Sequence, residues 1–312
     1  MSLRSKRRPL VRRLAIPAII LSSIIVAVEA GAFITRWSHN RRVRDLGDRL
    51  HMRVAGSGEP ILFLHGLRAS GRYWEPGIDS LAGDYETIVV DLLGFGRSPW
   101  PRDSAYDVDE HLSAVRRTVT PVLRGRKATV VGHSMGAVLA AEYARRHPEE
   151  ISNLILLNAP MFRSASEAKD GVYEMSPMAA VFTFNPVLAR GTCDLMCAAR
   201  PLFYRMAPRM EPDVPPHVAR DAVLHRWQSF DGTMTNVILA SNLEQTLRAV
   251  SRDIPVTIIH GTGDGITSRQ RLEDISAEVG ADLVFLEGDH NAYLRNPDGV
   301  LNEIRRALGR AQ

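Results

Sequence analysis

The sequence predicts an α/β protein whose sheet is mostly parallel. Short apolar runs alternate with longer amphipathic stretches along most of the 312 residues. The apolar runs show little polar alternation, which is typical of strands buried on both faces. Alternating strands and helices imply right-handed crossover connections. The predicted strands are 61–64, 87–90, 128–131, 153–157, 256–259 and 283–286, and the predicted helices are 108–123, 134–146, 268–279 and 297–308.

Composition excludes several other classes of protein. Hydrophobic residues make up 45% of the chain and charged residues 24%, which are ordinary globular proportions and not those of a disordered or coiled-coil chain. A single long apolar run excludes a polytopic membrane protein. Two cysteines exclude a disulfide-framework domain and a multi-cysteine zinc module.

The net charge of +4 comes from the N-terminal arm. Residues 1–44 hold ten of the 39 basic residues and one acid, Glu29. From Asp45 onward the chain has 29 basic and 34 acidic residues, a net charge of −5. The main part of the chain therefore gives no electrostatic reason to expect nucleic acid as a partner.

The apolar run is predicted to be a single-pass signal-anchor helix over 14–35, between a basic tail (1–13) and a linker (36–47). Residues 14–34 contain one charge, Glu29, and approach the ~20 residues that span a bilayer. Basic residues are more numerous before the span than directly after it, which favours an extracytoplasmic main domain.

Two alternatives to the anchor remain open. A signal peptide would leave a secreted protein after cleavage near Val28-Glu29-Ala30, a passable small-residue site. A buried core helix is the least favoured, because basic clusters flank the run on both sides.

The core is predicted at 48–160 and 251–312, with a helical cap at 161–250. No strand pattern is evident in that insertion, and it is rich in methionine and aromatic residues. These side chains either form protein core or face an apolar ligand. They are Met175, Met178, Phe182, Phe184, Phe203, Tyr204, Met206, Met210, Trp227 and Phe230.

Gly132-His133-Ser134-Met135-Gly136 identifies a candidate nucleophile. This G-x-S-x-G sequence follows a predicted strand and opens a predicted helix, so the glycines permit a tight turn that exposes Ser134 Oγ. The helix N-terminus also presents unpaired N–H groups and a positive dipole end. The alternative role for Ser134 is an ordinary helix N-cap.

A serine nucleophile needs a base, and His290 is predicted to supply it, with Asp264 holding the imidazole. Both follow predicted strands, as Ser134 does, and loops at that edge of a parallel sheet converge. Asp289 is the rival acid, but it is adjacent in sequence to the histidine and badly placed to reach Nδ1. His133 and His260 each precede a turn glycine and are predicted to be structural.

Negative charge on an attacked carbonyl needs preorganised donors. The N–H of Met135, directly after the nucleophile, is one predicted donor. The second comes from the loop His65-Gly66-Leu67-Arg68. Leu67 is preferred, with its neighbour Arg68 left open.

Taken in order, five stretches resemble the α/β-hydrolase family. They are Phe63-Leu64-His65-Gly66, Asp91–Ser98, Gly132–Gly136, His260–Asp264 and Gly288-Asp289-His290. The resemblance implies a mostly parallel eight-stranded sheet, a cap between strands six and seven, and neither metal nor organic cofactor. It also implies a structural role for the Asp91–Ser98 loop.

Serine at the turn distinguishes the chain from family members that use aspartate there, such as epoxide hydrolases and haloalkane dehalogenases. The predicted function is a lipase- or esterase-like hydrolase of carboxylic esters, and the predicted substrate is a small molecule with an apolar, lipophilic acyl group. Thioester, lactone or carbon–carbon bond hydrolysis and cofactor-free haloperoxidase activity remain open, as does a non-catalytic receptor on the same fold. Cys193 and Cys197 lie four apart, either as free buried thiols or as a disulfide.

Overall fold

A computed structural model describes residues 8–175 and 177–310, in which seven strands form one sheet in the order β1-β3-β2-β4-β5-β6-β7. Only β1 runs antiparallel to its neighbour; the other pairs are parallel, so the predicted α/β class is confirmed. The strands are β1 Met52–Ala55, β2 Glu59–Leu64, β3 Tyr85–Val90, β4 Ala128–His133, β5 Ile151–Leu157, β6 Val256–Gly261 and β7 Asp282–Leu286.

Helices cover the sheet and form the insertion between β5 and β6. The predicted helix at 108–123 has the bounds observed, and the other three differ by one or two residues at an end. The helices are α1 Arg8–Arg42, α2 Glu75–Ile78, α3 Val108–Leu123, α4 Met135–Arg146, α5 Ala165–Met175, α6 Pro177–Phe184, α7 Pro186–Ala198, α8 Arg200–Met210, α9 Pro216–Asp221, α10 Trp227–Thr233, α11 Leu243–Val250, α12 Arg269–Val279, α13 Ala292–Arg295 and α14 Pro297–Arg310.

Both faces of the central strands are buried, as the apolar runs predict. In β2, Leu62 and Leu64 belong to a hydrophobic cluster that includes residues of α3 and α4, whereas Ile61 and Phe63 belong to a second cluster that includes residues of α14. Alternate residues of a strand point to opposite faces, so a continuous apolar run supplies two hydrophobic layers. This burial holds the carboxyl ends of the strands in fixed positions.

The described residues contain seven strands where eight were expected, and the cap follows the fifth strand instead of the sixth. From residue 8 to β1 the chain forms α1, a short 3₁₀ helix at Arg44–Leu46 and turns, so no strand precedes β1 within that described stretch. The sequence pattern also gives no indication of β1. It is a four-residue edge strand with no buried position, and it carries no apolar run.

Helix α1 continues to Arg42 without a break, so most of the predicted linker is helical. Residues Ile19–Arg42 are long and apolar enough to cross a membrane or to belong to a signal sequence. One side of α1 packs on α7. Ala32 is buried there, and Glu29 lies 3.6 Å from Arg190. Residues 1–7 of the predicted basic tail lie outside the described residues.

Several apolar side chains of the cap face solvent, which neither interpretation of the insertion anticipated. Phe230 is buried and Phe184 lines a cavity, but Met178 is 73% exposed and Met210 is 59% exposed. Phe182 and Met206 are exposed as well, and the side chain of Met175 lies outside the described part. Both cysteines are buried in α7 as free thiols.

Candidate active site

Ser134 lies in a strained turn between β4 and α4. Its φ of 53° is in the left-handed region, which a residue with a Cβ rarely adopts. Close packing of the backbone requires glycine on either side. A Cβ on Gly132 would lie 2.2 Å from the carbonyl oxygen of Gly136, and a Cβ on Gly136 would lie 2.3 Å from that of Leu64. The tight turn lifts the serine side chain off the edge of the sheet.

The structure brings Ser134, His290 and Asp264 together. Ser134 Oγ lies 2.9 Å from His290 Nε2, and His290 Nδ1 lies 2.8 Å from Asp264 Oδ2. The Ser134 side chain accepts no hydrogen bond from the first turn of α4, so it does not serve as a helix N-cap. The three residues follow the carboxyl ends of β4, β7 and β6, where the strands hold their loops side by side.

Asp264 is held as a carboxylate. Burial alone would raise its pKa, but the contact with His290 and hydrogen bonds from Asn158 and the Ile266 amide outweigh burial and lower the pKa to about 2. Asn158 Nδ2 donates to Oδ2 over 2.7 Å, and the Ile266 N–H donates to Oδ1 over 3.0 Å. An anion fixed in this way favours a proton on the facing nitrogen of His290.

Asp289, the rival acid, has other partners. Its Oδ1 accepts a hydrogen bond from the Asn291 N–H over 2.8 Å, and its Oδ2 lies 3.2 Å from Arg295 Nη2. The carboxylate is thus paired with Arg295 at the surface, while Asp264 contacts the imidazole.

His133 and His260 support the backbone around the site. His133 Nε2 donates to the carbonyl oxygen of His290 over 2.8 Å, and burial lowers the pKa of His133 to about 3. His260 is also buried, its pKa is lowered by that burial, and its Nε2 lies 3.7 Å from Asp264 Oδ2. Both imidazoles are therefore neutral at physiological pH. His290 differs from them in that its Nε2 lies within hydrogen-bond distance of Ser134 Oγ.

Two backbone N–H groups near Ser134 have no protein acceptor among residues 8–175 and 177–310. Neither Leu67 nor Met135 donates a backbone hydrogen bond within the described part of the chain. Met135 is the first residue of α4, where helix N–H groups lack an intrahelical partner. Arg68, the neighbour left open by the sequence, has a positive φ of 58° and an exposed side chain.

A cavity of about 330 Å³ reaches Ser134 and His290 from the cap side. Its walls combine the sheet edge with cap residues of α5, α6 and α9 and of the π-helical turn Met234–Ile238. The cap contributes mainly apolar side chains, among them Phe162, Val172, Phe184, Val218, Met234 and Ile238. Such a lining suits an apolar substrate group placed next to a small number of polar atoms.

Two residues that support the site, Asn158 and Tyr73, were not predicted from the sequence. Asn158 follows β5 directly, and its amide bonds both Asp264 and the carbonyl oxygen of Asp289. Tyr73 stacks on His133 with ring centroids 4.4 Å apart. The position of Asn158 at the end of a predicted strand was the available signal. No comparable signal marks Tyr73, which lies in a short 3₁₀ helix.

A possible metal-ligand group lies elsewhere. In the described ranges, ligand atoms of His147, Glu149 and Glu150 lie within 4.8 Å of one another. They follow the C-terminal end of α4, the end opposite Ser134. Tyr143 and Arg116 already bond Glu150, so this group has a structural explanation.

Comparison with known proteins gives concordant results. "Probable lysophospholipase BODYGUARD 2" from Arabidopsis thaliana is 33% identical over 132 residues, 41% of this chain and 28% of that protein. The chain therefore matches less than a third of that relative's length. "Lipase 3" from Moraxella sp. (strain TA144) is 25% identical over 234 residues, 75% of this chain and 71% of the lipase.

Solved structures share the fold. A thermophilic esterase from Thermogutta terrifontis superposes with a TM-score of 0.65 at 20% identity, covering 84% of this chain and 93% of the esterase. A family model described as alpha/beta hydrolase fold matches residues 59–297. Since that match takes in strands β2 to β7, the serine turn and the loops that hold Asp264 and His290, the chain belongs to the α/β-hydrolase family.

Proposed function

We propose that the protein is a serine hydrolase that cleaves carboxylic esters, with Ser134 as nucleophile, His290 as base and Asp264 as the orienting acid. The continuous hydrogen-bonded path from Ser134 Oγ through both imidazole nitrogens to Asp264 is the observation on which this rests. Ser134, Asp264 and His290 each follow the carboxyl end of a strand, as a nucleophile in a strand-turn-helix arrangement requires.

In the acylation step, His290 Nε2 takes the proton from Ser134 as Oγ attacks the ester carbonyl carbon. The carbonyl oxygen becomes an oxyanion, for which the N–H groups of Leu67 and Met135 are the proposed donors. Asp264 stabilises the imidazolium without taking its proton. The imidazolium then protonates the departing alcohol, and Ser134 carries the acyl group.

In the deacylation step, His290 removes a proton from water as that water attacks the acyl carbon. Collapse of the second tetrahedral intermediate releases the carboxylic acid and returns the proton to Ser134 Oγ. Because Asp264 stays ionised well below neutral pH, the carboxylate is available in both steps.

A lipophilic acyl group is the proposed substrate class. The cavity beside Ser134 is lined mainly by apolar side chains, and the charged residues among its walls are Arg68 and Glu211, besides the catalytic histidine. Relatives named as a lipase and a probable lysophospholipase agree with that class. Helix α1 would hold the enzyme at a membrane, with the catalytic domain outside the cytoplasm. Cleavage of α1 as a signal peptide would give a secreted form instead.

The test is turnover of p-nitrophenyl esters of increasing acyl length by the full chain in nonionic detergent. We expect hydrolysis that depends on chain length and is absent in Ser134→Ala. Tight binding of an ester without turnover at any length would support the receptor alternative and contradict the proposal.

A further inference from the structure

A second cavity, of about 820 Å³, lies between the C-terminal end of α1 and the start of α8. It shares no lining residue with the cavity at Ser134. Ile34, Ser38 and Arg42 form its wall on α1, while Arg200 and Arg205 face them from α8. The proposed hydrolysis gives this space no role.

The walls of this cavity are strongly cationic. Arg42, Arg97, Arg200 and Arg205 line it, against one carboxylate, that of Asp45. In the described part of the chain none of these four guanidinium groups forms an ion pair, although many other arginines do. A concave surface with four unpaired cations attracts an anion with several oxygens.

Arg200 is held rigidly within this cluster. Its Cζ lies 4.5 Å from the centre of the Trp100 ring, and its Nη2 donates to the carbonyl oxygen of His225 over 2.8 Å. Its Nε is buried and has no hydrogen-bond partner. Burying a cation without an anion is unfavourable, and burial lowers the pKa of Arg200. A bound anion beside the guanidinium group would offset that cost.

The surroundings indicate where the anion comes from. Ile34 and Trp37, in the apolar part of α1 next to the cavity, are 62% and 54% exposed. On α8, Leu202, Met206 and Met210 are exposed at four-residue intervals along one side, with Arg205 and Arg209 beside them. An exposed apolar stripe bordered by arginines, with no acidic residue in the helix, is typical of a helix lying at a membrane surface. With α1 in a membrane, as the proposed function has it, this stripe would put the cavity at the depth of lipid headgroups.

We propose that this cavity binds a phosphate group presented by an anionic phospholipid, with the half-buried Arg200 as one ligand and Arg42, Arg97 and Arg205 as the others. Such a lipid would link the end of α1 to the first turn of α8. The proposal is independent of the chemistry at Ser134.

The experiment measures ligand affinity of the full chain in nonionic detergent by isothermal titration calorimetry. The probes are a short-chain diether phosphatidic acid, which has no ester to cleave, and inorganic phosphate at matched ionic strength. We expect the lipid to bind, and the Arg42→Gln/Arg205→Gln double variant to weaken its affinity at least tenfold. Arg209→Gln is the matched control, because Arg209 is exposed on the same helix but does not line the cavity. It should retain wild-type affinity.

Arg200→Gln should also weaken lipid binding. Because Arg200 packs on the Trp100 ring as well, the Arg42→Gln/Arg205→Gln variant, which changes only exposed residues, is the decisive one. Equal affinity in wild type and double variant, or an equal loss in Arg209→Gln, would overturn the site. Binding of inorganic phosphate without binding of the lipid would identify free phosphate as the ligand and overturn the phospholipid assignment.

Discussion

The sheet edge and the cap differ in what determines the positions of their side chains. At the edge, Ser134 and Asp264 follow β4 and β6, which are buried and paired on both sides. His290 follows β7, a half-buried edge strand that packs against α12 and α14. In the cap, side chains of one type have different environments within a single helix. Phe184 lines the cavity at Ser134, whereas Phe182, two residues earlier, is 47% exposed.

We therefore expect the sheet edge to determine the chemistry and the cap to determine substrate choice. Strand pairing fixes the register of the edge, so the catalytic geometry follows from the backbone. The cap has no sheet to fix its register, and under the proposed function its helices would select the substrate through side chains that reach the cavity. Four predictions test this division, beginning with the largest expected effect.

Replacing the nucleophile should abolish hydrolysis while leaving the fold intact. Ser134→Ala and His290→Ala are each expected to lower kcat by roughly 10⁵- to 10⁶-fold, because serine and its base act as one unit. Ester turnover and circular dichroism are the measurements. Residual activity within tenfold of wild type in Ser134→Ala would place the chemistry elsewhere.

The two candidate acids, Asp264 and Asp289, should differ clearly in how much their replacement lowers kcat. Asp264→Asn is expected to lower kcat by about 10⁴-fold, because an amide favours the wrong imidazole tautomer. Asp289→Asn removes only a surface pair with Arg295 and should change kcat less than threefold. Steady-state kinetics of both variants checks this, and the reverse order of effects would show that Asp289 is the acid.

In the cap, Phe184 and Phe182 form a matched pair. Phe184→Ala enlarges the cavity and should reduce the preference for long over short acyl esters by roughly tenfold in kcat/KM. Phe182→Ala removes the same ring from a solvent-facing position of α6 and should leave that ratio unchanged. Equal shifts in both variants would mean that the cap acts as a whole on substrate choice.

The smallest effect concerns stability at low pH. The pKa of Asp264 is about 2 in the fold and roughly 3.9 in an unfolded chain, so its stabilisation is complete above about pH 5 and is lost as pH falls towards 2. The advantage of wild type over Asp264→Asn in free energy of unfolding should shrink by about 2 kcal/mol between pH 5 and pH 2. Denaturant titrations at several pH values measure it. An advantage independent of pH would contradict the lowered pKa.

Sequence alone predicted the edge far better than the cap. Strands β2 to β6 are apolar because most of their residues are buried, and half-buried β7 is apolar too. The turns after these strands need glycines or polar residues that are visible in the sequence. β1 was missed because an exposed edge strand needs no apolar run. Asn158 was missed because its role depends on a contact with Asp264, 106 residues away.

The directions of cap side chains were not predictable for a different reason. Met178 and Phe182 have the same hydrophobic character as residues that line the cavity, yet they face solvent. Composition records that the insertion is apolar, but the packing of α5 to α8 against each other and against α1 decides which face is left uncovered.

The most direct test of the account is reaction with a fluorophosphonate probe, followed by mass spectrometry of the labelled peptide. We expect one adduct, on Ser134, and we expect it to disappear in His290→Ala because the hydroxyl then lacks its base. Labelling of a different serine, or undiminished labelling of Ser134 without His290, would contradict it.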